Sequence, residues 1–406
     1  MRYVVIGNSA AGIFGIEAIR ECDPEGDIIL ITNEPESAYS RCLTTHYIAG
    51  KVTENQMYIR PGDFYQRYAV DVRFGVTVES VDPAERKVLC EGGIEVPFDR
   101  LLIATGASPV IPETPGINAA GVFTLRTIND ARAIRKRVER GGRAVVLGAG
   151  PVGLKTAYAL LKRGVRVSVV VGSPQILSRA MDAYGAGLIQ KQLEEHGMTF
   201  YLGREVKEIL ENDAGEVSGV RLEDGTELLC SMVIVGKGVR PNVQLVTRDM
   251  FEINRGLVVN EYLETSCTGV FAAGDVAETY DIAYGYPRVN ATWPNATAQG
   301  RLAGRNMAGC RERYPGSIGL NSLEFFGLDA ITVGMSRAEG PEFEVLEHKE
   351  ETARRYRRLV FREDKLVGYV AVNDIDGIGA LTARVKASIP VRNKRALLVG
   401  RPPVVW

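Results

Sequence analysis

The chain has 406 residues, 45% of them hydrophobic and 24% charged, with a net charge of −1. That length exceeds what one hydrophobic core organises and implies two or three domains, and the balanced charge gives no footprint for nucleic acid or an anionic membrane. No apolar run reaches the roughly 18 residues that span a bilayer, no basic-then-apolar leader opens the sequence, and the six cysteines form no C-x-x-C pair, so a cytoplasmic protein without a metal site is expected.

Residues 1–12, MRYVVIGNSAAG, read as strand, tight turn and helix start. The apolar run Tyr3–Ile6 ends at Gly7, and Gly12 precedes a helical rhythm at Ile13, Ala18 and Ile19. Backbone N–H groups at such a turn, with a helix N-terminus behind them, form a pyrophosphate site. Ser9 stands where the usual G-x-G-x-x-G has its middle glycine, so this match alone is weak. Residues 28–31 read as a second buried parallel strand. Glu34 follows at the spacing where an acid accepts the ribose hydroxyls of a dinucleotide; the alternative is a solvated loop carboxylate.

Residues 70–90 alternate in a way that suggests a meander of short strands, and 99–109 form a buried strand ending in Ala104-Thr105-Gly106. Pro112 and Pro115 mark a crossover, after which 128–140 read as a charged amphipathic helix. The opening pattern then repeats in full at AVVLGAGPVG: Gly148-x-Gly150-x-x-Gly153, between a strand and a helix running through Leu161. In that context the motif is a strong dinucleotide signal. The following strand, Val165–Val171, lacks the terminal acid that would bind a ribose, leaving Ser173 and Arg179 as acceptors for a 2′-phosphate. The nucleotide is therefore NAD(P), leaning to NADH.

SMVIVGKGVRPN, 231–242, reads as the last strand of this second domain and its exit. GVFAAGDV, 269–276, is a short strand ending in Gly274-Asp275, where Asp275 either holds a ribityl hydroxyl or caps a helix. A helix over 293–309 starts at Pro294 and points a partially positive end outward. From Gly319 the chain turns to alternating strands; the basic run Arg354–Arg358 reads as a solvated strand face, and the tail RPPVVW as a packing or interface anchor.

With GNSAAG, LLIATGASP, GAGPVG, GKGVRPN, VFAAGD and WPNATAQG in one order, the chain resembles the pyridine nucleotide–disulfide oxidoreductase family over essentially its whole length. The resemblance implies an α/β fold with two Rossmann-like dinucleotide-binding domains: a discontinuous FAD domain (1–112 and 245–318) split by an inserted NAD(P) domain (113–244). A C-terminal α+β interface domain (319–406) would follow, in a homodimer. FAD would be held at Gly7, Ser9, Ala11, Gly12, Glu34, Arg41, Ala104, Thr105, Gly106 and Asp275, with the Val78 backbone at the adenine. NAD(P) would be held at Gly148, Gly150, Gly153 and Gly236.

Two departures bear on the chemistry. The dithiol branch of the family carries two cysteines four residues apart near position 42 and a C-terminal His-Glu pair, and neither is present. Cys42 stands alone, where the coenzyme A disulfide reductase and NADH oxidase branch keeps a single redox cysteine. Tyr39-Ser40-Arg41 before it is similar to the branch that reduces rubredoxin or ferredoxin. Cys42 is then either a thiolate that attacks a disulfide or persulfide, favoured by His46 at i+4, or a small apolar filler. The expected activity is FAD-dependent NAD(P)H oxidoreduction, with an iron–sulfur, ferredoxin-like or rubredoxin-like partner as acceptor or donor. The alternative is a Cys42-dependent disulfide or persulfide reductase or NADH oxidase.

Overall fold

The computed structural model describes residues 1–398; the RPPVVW tail lies outside them. Two compact units form, one from Met1–Ser40, Glu54–Ser108 and Arg240–Gly319, the other from Arg41–Thr53, Pro109–Val239 and the chain from Leu320 on. Residues 41–53 group with the middle of the chain, and so does the stretch after Gly319.

In the first unit the opening strand, Arg2–Ile6, is the centre of a five-stranded parallel sheet. The order is 270–272, 100–103, 2–6, 27–32, 70–74. Tyr3, Val4 and Val5 are all buried, so both faces of this strand are covered, as its unbroken apolar run requires. Residues 70–90 are not one meander. Val70–Phe74 joins the parallel sheet beside the second strand, while 78–82, 87–90 and 94–97 make a separate antiparallel sheet. The alternation was legible; the long-range partner of its first strand was not. The helix Ala10–Cys22 packs on the helix Trp293–Met307 through glycines. A Cβ at Gly300 would lie 2.2 Å from the Ala11 carbonyl oxygen, and one at Gly304 2.3 Å from that of Gly15. That backbone-to-backbone approach sets the late Asp275 segment against the first turn of the chain.

The second unit repeats the plan. Its parallel sheet runs 199–202, 166–171, 143–147, 232–235, 122–124. The charged helix spans Ile128–Val138 and starts with a capping box, in which Thr127 accepts from the Asp130 N–H and the Asp130 carboxylate accepts from that of Thr127. The helix after the second fingerprint, Pro151–Lys162, begins on proline, whose missing N–H costs nothing there. A five-stranded antiparallel sheet from 320–372 belongs to the same unit.

On that sheet only the start of the basic run is solvated: Arg355 is exposed and Arg354 half-buried, but the residues after them are buried. Arg357 is 1% exposed and Arg358 6%. Arg357 donates through its two terminal nitrogens to an Asp374 carboxylate oxygen at 2.7 Å and to the carbonyls of Leu397 and Asp376, so the buried charge has a counter-charge, while its Nε stays without a hydrogen-bond partner. Arg358 donates to Glu347 at 2.7 Å. The Tyr356 hydroxyl lies 2.8 Å from the same oxygen and 3.0 Å from the Asp182 carboxylate that caps the helix Ala183–Glu195. Burial pushes the Glu347 carboxyl up, but hydrogen bonds from Lys349, Tyr356 and Arg358 outweigh it and hold the pKa at about 2. A depressed carboxylate contributes stability above its unfolded value of 4.5 and loses it as pH falls towards 2. A Glu347→Gln protein should therefore melt several degrees below the wild type at pH 7, and the gap should narrow below about pH 4.5. Thermal unfolding followed by circular dichroism across pH checks this; a gap that stays constant would contradict it.

Candidate functional site

Each fingerprint builds the same cradle from the same backbone moves. At the first, Gly7 has φ +113°, and a Cβ there would lie 2.2 Å from the Ala104 carbonyl oxygen. At the second, Gly148 has φ +104°, and its Cβ would lie 2.5 Å from the Gly236 carbonyl oxygen. A side chain is excluded at both by conformation and by contact. One turn later, a Cβ at Gly12 would meet the Gly7 carbonyl oxygen at 1.9 Å, and one at Gly153 the Gly148 carbonyl oxygen at 2.4 Å. Ala104 and Gly236 hold matching places, their N–H groups donating to Ile6 and Leu147. The two sites are thus one architecture used twice.

The middle position explains Ser9. Gly150 has φ −76° and ψ 175°, Ser9 has φ −133° and ψ −161°, and both are extended conformations open to any residue. Serine is therefore tolerated at the first site without distortion. A Cβ at Gly150 would meet nothing within 4 Å, so neither strain nor crowding within the protein demands glycine there. That space is open for a ligand's phosphates. It belongs to a cavity of about 430 Å³ lined by Gly148, Gly150, Gly153, Gly236 and the end of the strand Arg166–Val171.

Of the sequence-named residues, Ala104 meets Gly7, and Gly274, next to Asp275, meets Ala11 at the first cradle. Ala10 and Ala11 are buried at the start of the helix, and the first intrahelical hydrogen bond is donated by Ile13 to Ser9. The preceding N–H groups face out of the helix end, where an anion is favoured. Asn8 fixes the turn: its amide donates to the Glu36 carbonyl at 3.1 Å and its oxygen accepts from Tyr65 at 2.9 Å. Glu34 lies two residues past the strand Asp27–Thr32 and accepts at 2.5 Å from the hydroxyl of buried Tyr39, which aims its carboxylate. Thr105 and Gly106 are pinned to the domain exit. The Thr105 hydroxyl donates to the Asn242 carbonyl at 2.8 Å, the Asn242 amide returns a bond to Thr105, and the Asn242 N–H donates to Gly106. Asp275 is half-buried and follows Gly274, where a Cβ would sit 3.2 Å from that of Ala11. Val78 opens the antiparallel sheet, with its backbone paired to Cys90. The cradle fits a dinucleotide: backbone donors for pyrophosphate and carboxylates for hydroxyls.

Arg41 and Cys42 lie in the second unit. Arg41 donates to the Arg126 carbonyl at 2.7 Å. Cys42 is exposed in a single 3₁₀ turn, Arg41–Leu43, ahead of a five-residue helix, Thr44–Ile48. His46 does not supply the cation expected of it. Desolvation and the charges of Lys51 and Lys155 lower its pKa below the usual 6.5, so it is neutral near pH 7. Lys155 carries an electrostatic interaction with Cys42: burial lowers the lysine's pKa, and the charges of Cys42 and Glu324 oppose that. It stands two residues after Gly153 and lines a cavity of about 210 Å³ with His46, Lys51, Tyr158 and Glu324. A thiolate beside a lysine is favoured. Replacing Lys155 with methionine should slow alkylation of Cys42 by iodoacetamide at pH 7 by roughly three- to tenfold; an unchanged rate would mean that Lys155 does not set the thiolate fraction. Tyr39 and Asn242 stood inside quoted motifs without a role of their own, and Lys155 had no sequence signal, because each meets its partner only in the fold. Among the described residues no cluster of metal-ligating side chains is present, and no helix is long and apolar enough to cross a membrane.

Comparison with known proteins places this geometry. Residues 1–300 match the family model for pyridine nucleotide-disulphide oxidoreductases, and 320–389 match that of the rubredoxin NAD⁺ reductase C-terminal domain. The chain is 32% identical, over all its length and 96% of the relative's, to the NADH-dependent phenylglyoxylate dehydrogenase subunit epsilon of Aromatoleum evansii. It is 35% identical to an NADH oxidase of Methanocaldococcus jannaschii, over 83% of this chain and 78% of that one. Among solved structures it is similar to an NAD-dependent persulfide reductase from A. fulgidus, with a TM-score of 0.89 and 26% identity over 99% of this chain and 80% of that one. It is also similar to a ferredoxin reductase from Rhodopseudomonas palustris, with a TM-score of 0.84 and 26% identity over 92% and 91%. The chain belongs to the pyridine nucleotide–disulphide oxidoreductase family and is an FAD-containing NAD(P)H oxidoreductase.

Proposed function

We propose that this protein passes electrons from NADH, by way of FAD, to an iron–sulfur or rubredoxin-like carrier protein, and that it does so as a cytoplasmic homodimer. The observation that carries the acceptor half is the match of residues 320–389 to the rubredoxin reductase C-terminal domain. The FAD domain would comprise 1–112 and 245–318, the NAD(P) domain 113–244, and the interface domain the remainder. When bound, FAD supplies the link between two-electron hydride transfer and one-electron carriers. The residues hold and orient. The N–H groups at Ser9, Ala11 and Gly12 bind the FAD pyrophosphate, Glu34 accepts the ribose hydroxyls in the pose set by Tyr39, Asp275 accepts from the ribityl chain, and Ala104-Thr105-Gly106 shape the wall. Arg41 would contact FAD from its own segment, and the Val78 backbone the adenine. The helix Trp293–Met307 presents its N-terminus, which stabilises negative charge. Gly148, Gly150, Gly153 and Gly236 receive the nicotinamide dinucleotide.

A second reading rests on exposed Cys42, with which the Lys155 cation interacts electrostatically: a thiolate there would reduce a disulfide or persulfide. Steady-state assays separate the two. With NADH as donor, kcat/KM is expected to be highest for a rubredoxin or a small iron–sulfur ferredoxin, and a Cys42→Ser protein should keep within about twofold of that value, since no step on this route uses the thiol. Carrier reduction that vanishes with Cys42, or turnover confined to disulfides or persulfides, would install the second reading.

A further inference from the structure

The strand Arg166–Val171 ends without the acid that normally receives the adenosine ribose, and Gly172 stands in its place. The structure fills that place from elsewhere. A Cβ at Gly172 would lie 2.2 Å from Glu205 Oε1, so the glycine is what lets a carboxylate from the neighbouring strand's exit settle on the strand end. The loop that carries Glu205 is tied down by two backbone bonds: Gly203 N–H to the Ser173 carbonyl at 3.0 Å and Arg204 N–H to the Val171 carbonyl at 3.1 Å. The other carboxylate oxygen, Oε2, accepts from the Lys237 ammonium at 2.5 Å. Lys237 follows fingerprint residue Gly236, and both Glu205 and Lys237 line the nucleotide cavity.

We infer that Glu205 is the residue that binds the adenosine ribose and makes the protein select NADH over NADPH. The inference rests on the assignment of this cavity to a nicotinamide dinucleotide. The carboxylate accepts hydroxyl hydrogens from an unmodified ribose. A 2′-phosphate, carrying close to two negative charges, would be brought against the same carboxylate. Lys237 holds Glu205 in place and is itself occupied by it. Ser173 and Arg179 line the same cavity: the Ser173 hydroxyl is engaged, donating to the Gln175 carbonyl at 2.6 Å, and exposed Arg179 is the rival cation, which an Arg179→Met protein removes.

The test needs no turnover. Calorimetric titration of the FAD-loaded protein with ADP-ribose and with its 2′-phosphate should give ADP-ribose the tighter binding by about tenfold or more. In a Glu205→Gln protein the ratio should fall to about twofold or invert, with flavin content and melting temperature unchanged. An Arg179→Met protein should keep the wild-type ratio. Tighter wild-type binding of the 2′-phosphate, or a ratio that moves in Arg179→Met and not in Glu205→Gln, would overturn the assignment. Should Glu205→Gln fail to fold, the wild-type and Arg179→Met ratios still decide. Failure of the wild type to bind either compound would overturn the dinucleotide assignment of the cavity, and this inference with it.

Discussion

A Gly150→Val protein is expected to fold, melt and hold FAD like the wild type, and to lose NADH-driven flavin reduction by about a hundredfold or more in kcat/KM. The contrast follows from the geometry. Gly150 has an extended backbone that any residue adopts, and it precedes Pro151, which itself favours that conformation. A side chain there meets nothing within 4 Å of protein. What it meets is the space reserved for pyrophosphate, at the N-terminus of the helix Pro151–Lys162. Flavin absorbance, melting temperature and NADH kinetics on one preparation check all three parts. Wild-type activity in Gly150→Val would remove the cavity from the reaction.

The opposite arm is Gly12→Ala. Its methyl group would lie 1.9 Å from the Gly7 carbonyl oxygen, so the turn and the first helix cannot both keep their places. Such overpacking costs about 1–3 kcal/mol locally, and the N–H groups that face the pyrophosphate move with it. The protein should be purified without its yellow colour, while the second site, built in the other unit, still binds ADP-ribose. The measurement is flavin content by absorbance alongside calorimetry of ADP-ribose binding. A fully yellow Gly12→Ala protein would show that the first cradle is not where FAD is held.

Much of this was legible because both fingerprints are local. A strand, a tight turn and a helix start occupy about a dozen residues, and their glycines answer to backbone contacts that recur wherever the turn is made. The imperfect Ser9 became intelligible only with its dihedral angles, which show an extended residue that needs no glycine. Features that depend on partners far along the chain were not legible. Arg357 and Arg358 looked like a solvated face because their counter-charges, Asp374 and Glu347, arrive from neighbouring strands and loops. Residues 70–74 looked like part of a meander because their parallel partner, 27–32, is some forty residues back. Lys155 sat unremarked beside the best motif in the chain, and its electrostatic interaction with Cys42, like the lowered pKa of His46, comes from burial and charges that only the fold brings together. Glu205 carries no motif at all, since the strand end it completes belongs to a different strand. The sequence period says which face is buried; it does not say whose carboxylate will meet it.

The most direct test of the proposed electron path is anaerobic stopped-flow mixing of the yellow protein, wild type and Cys42→Ser, first with NADH and then with an oxidised rubredoxin or small iron–sulfur ferredoxin. The expected result is bleaching of the flavin by about one NADH per FAD, followed by recovery of its absorbance as the carrier is reduced, with matching rates in both proteins. Flavin that NADH bleaches but the carrier cannot reoxidise, or reoxidation lost in Cys42→Ser, would contradict it.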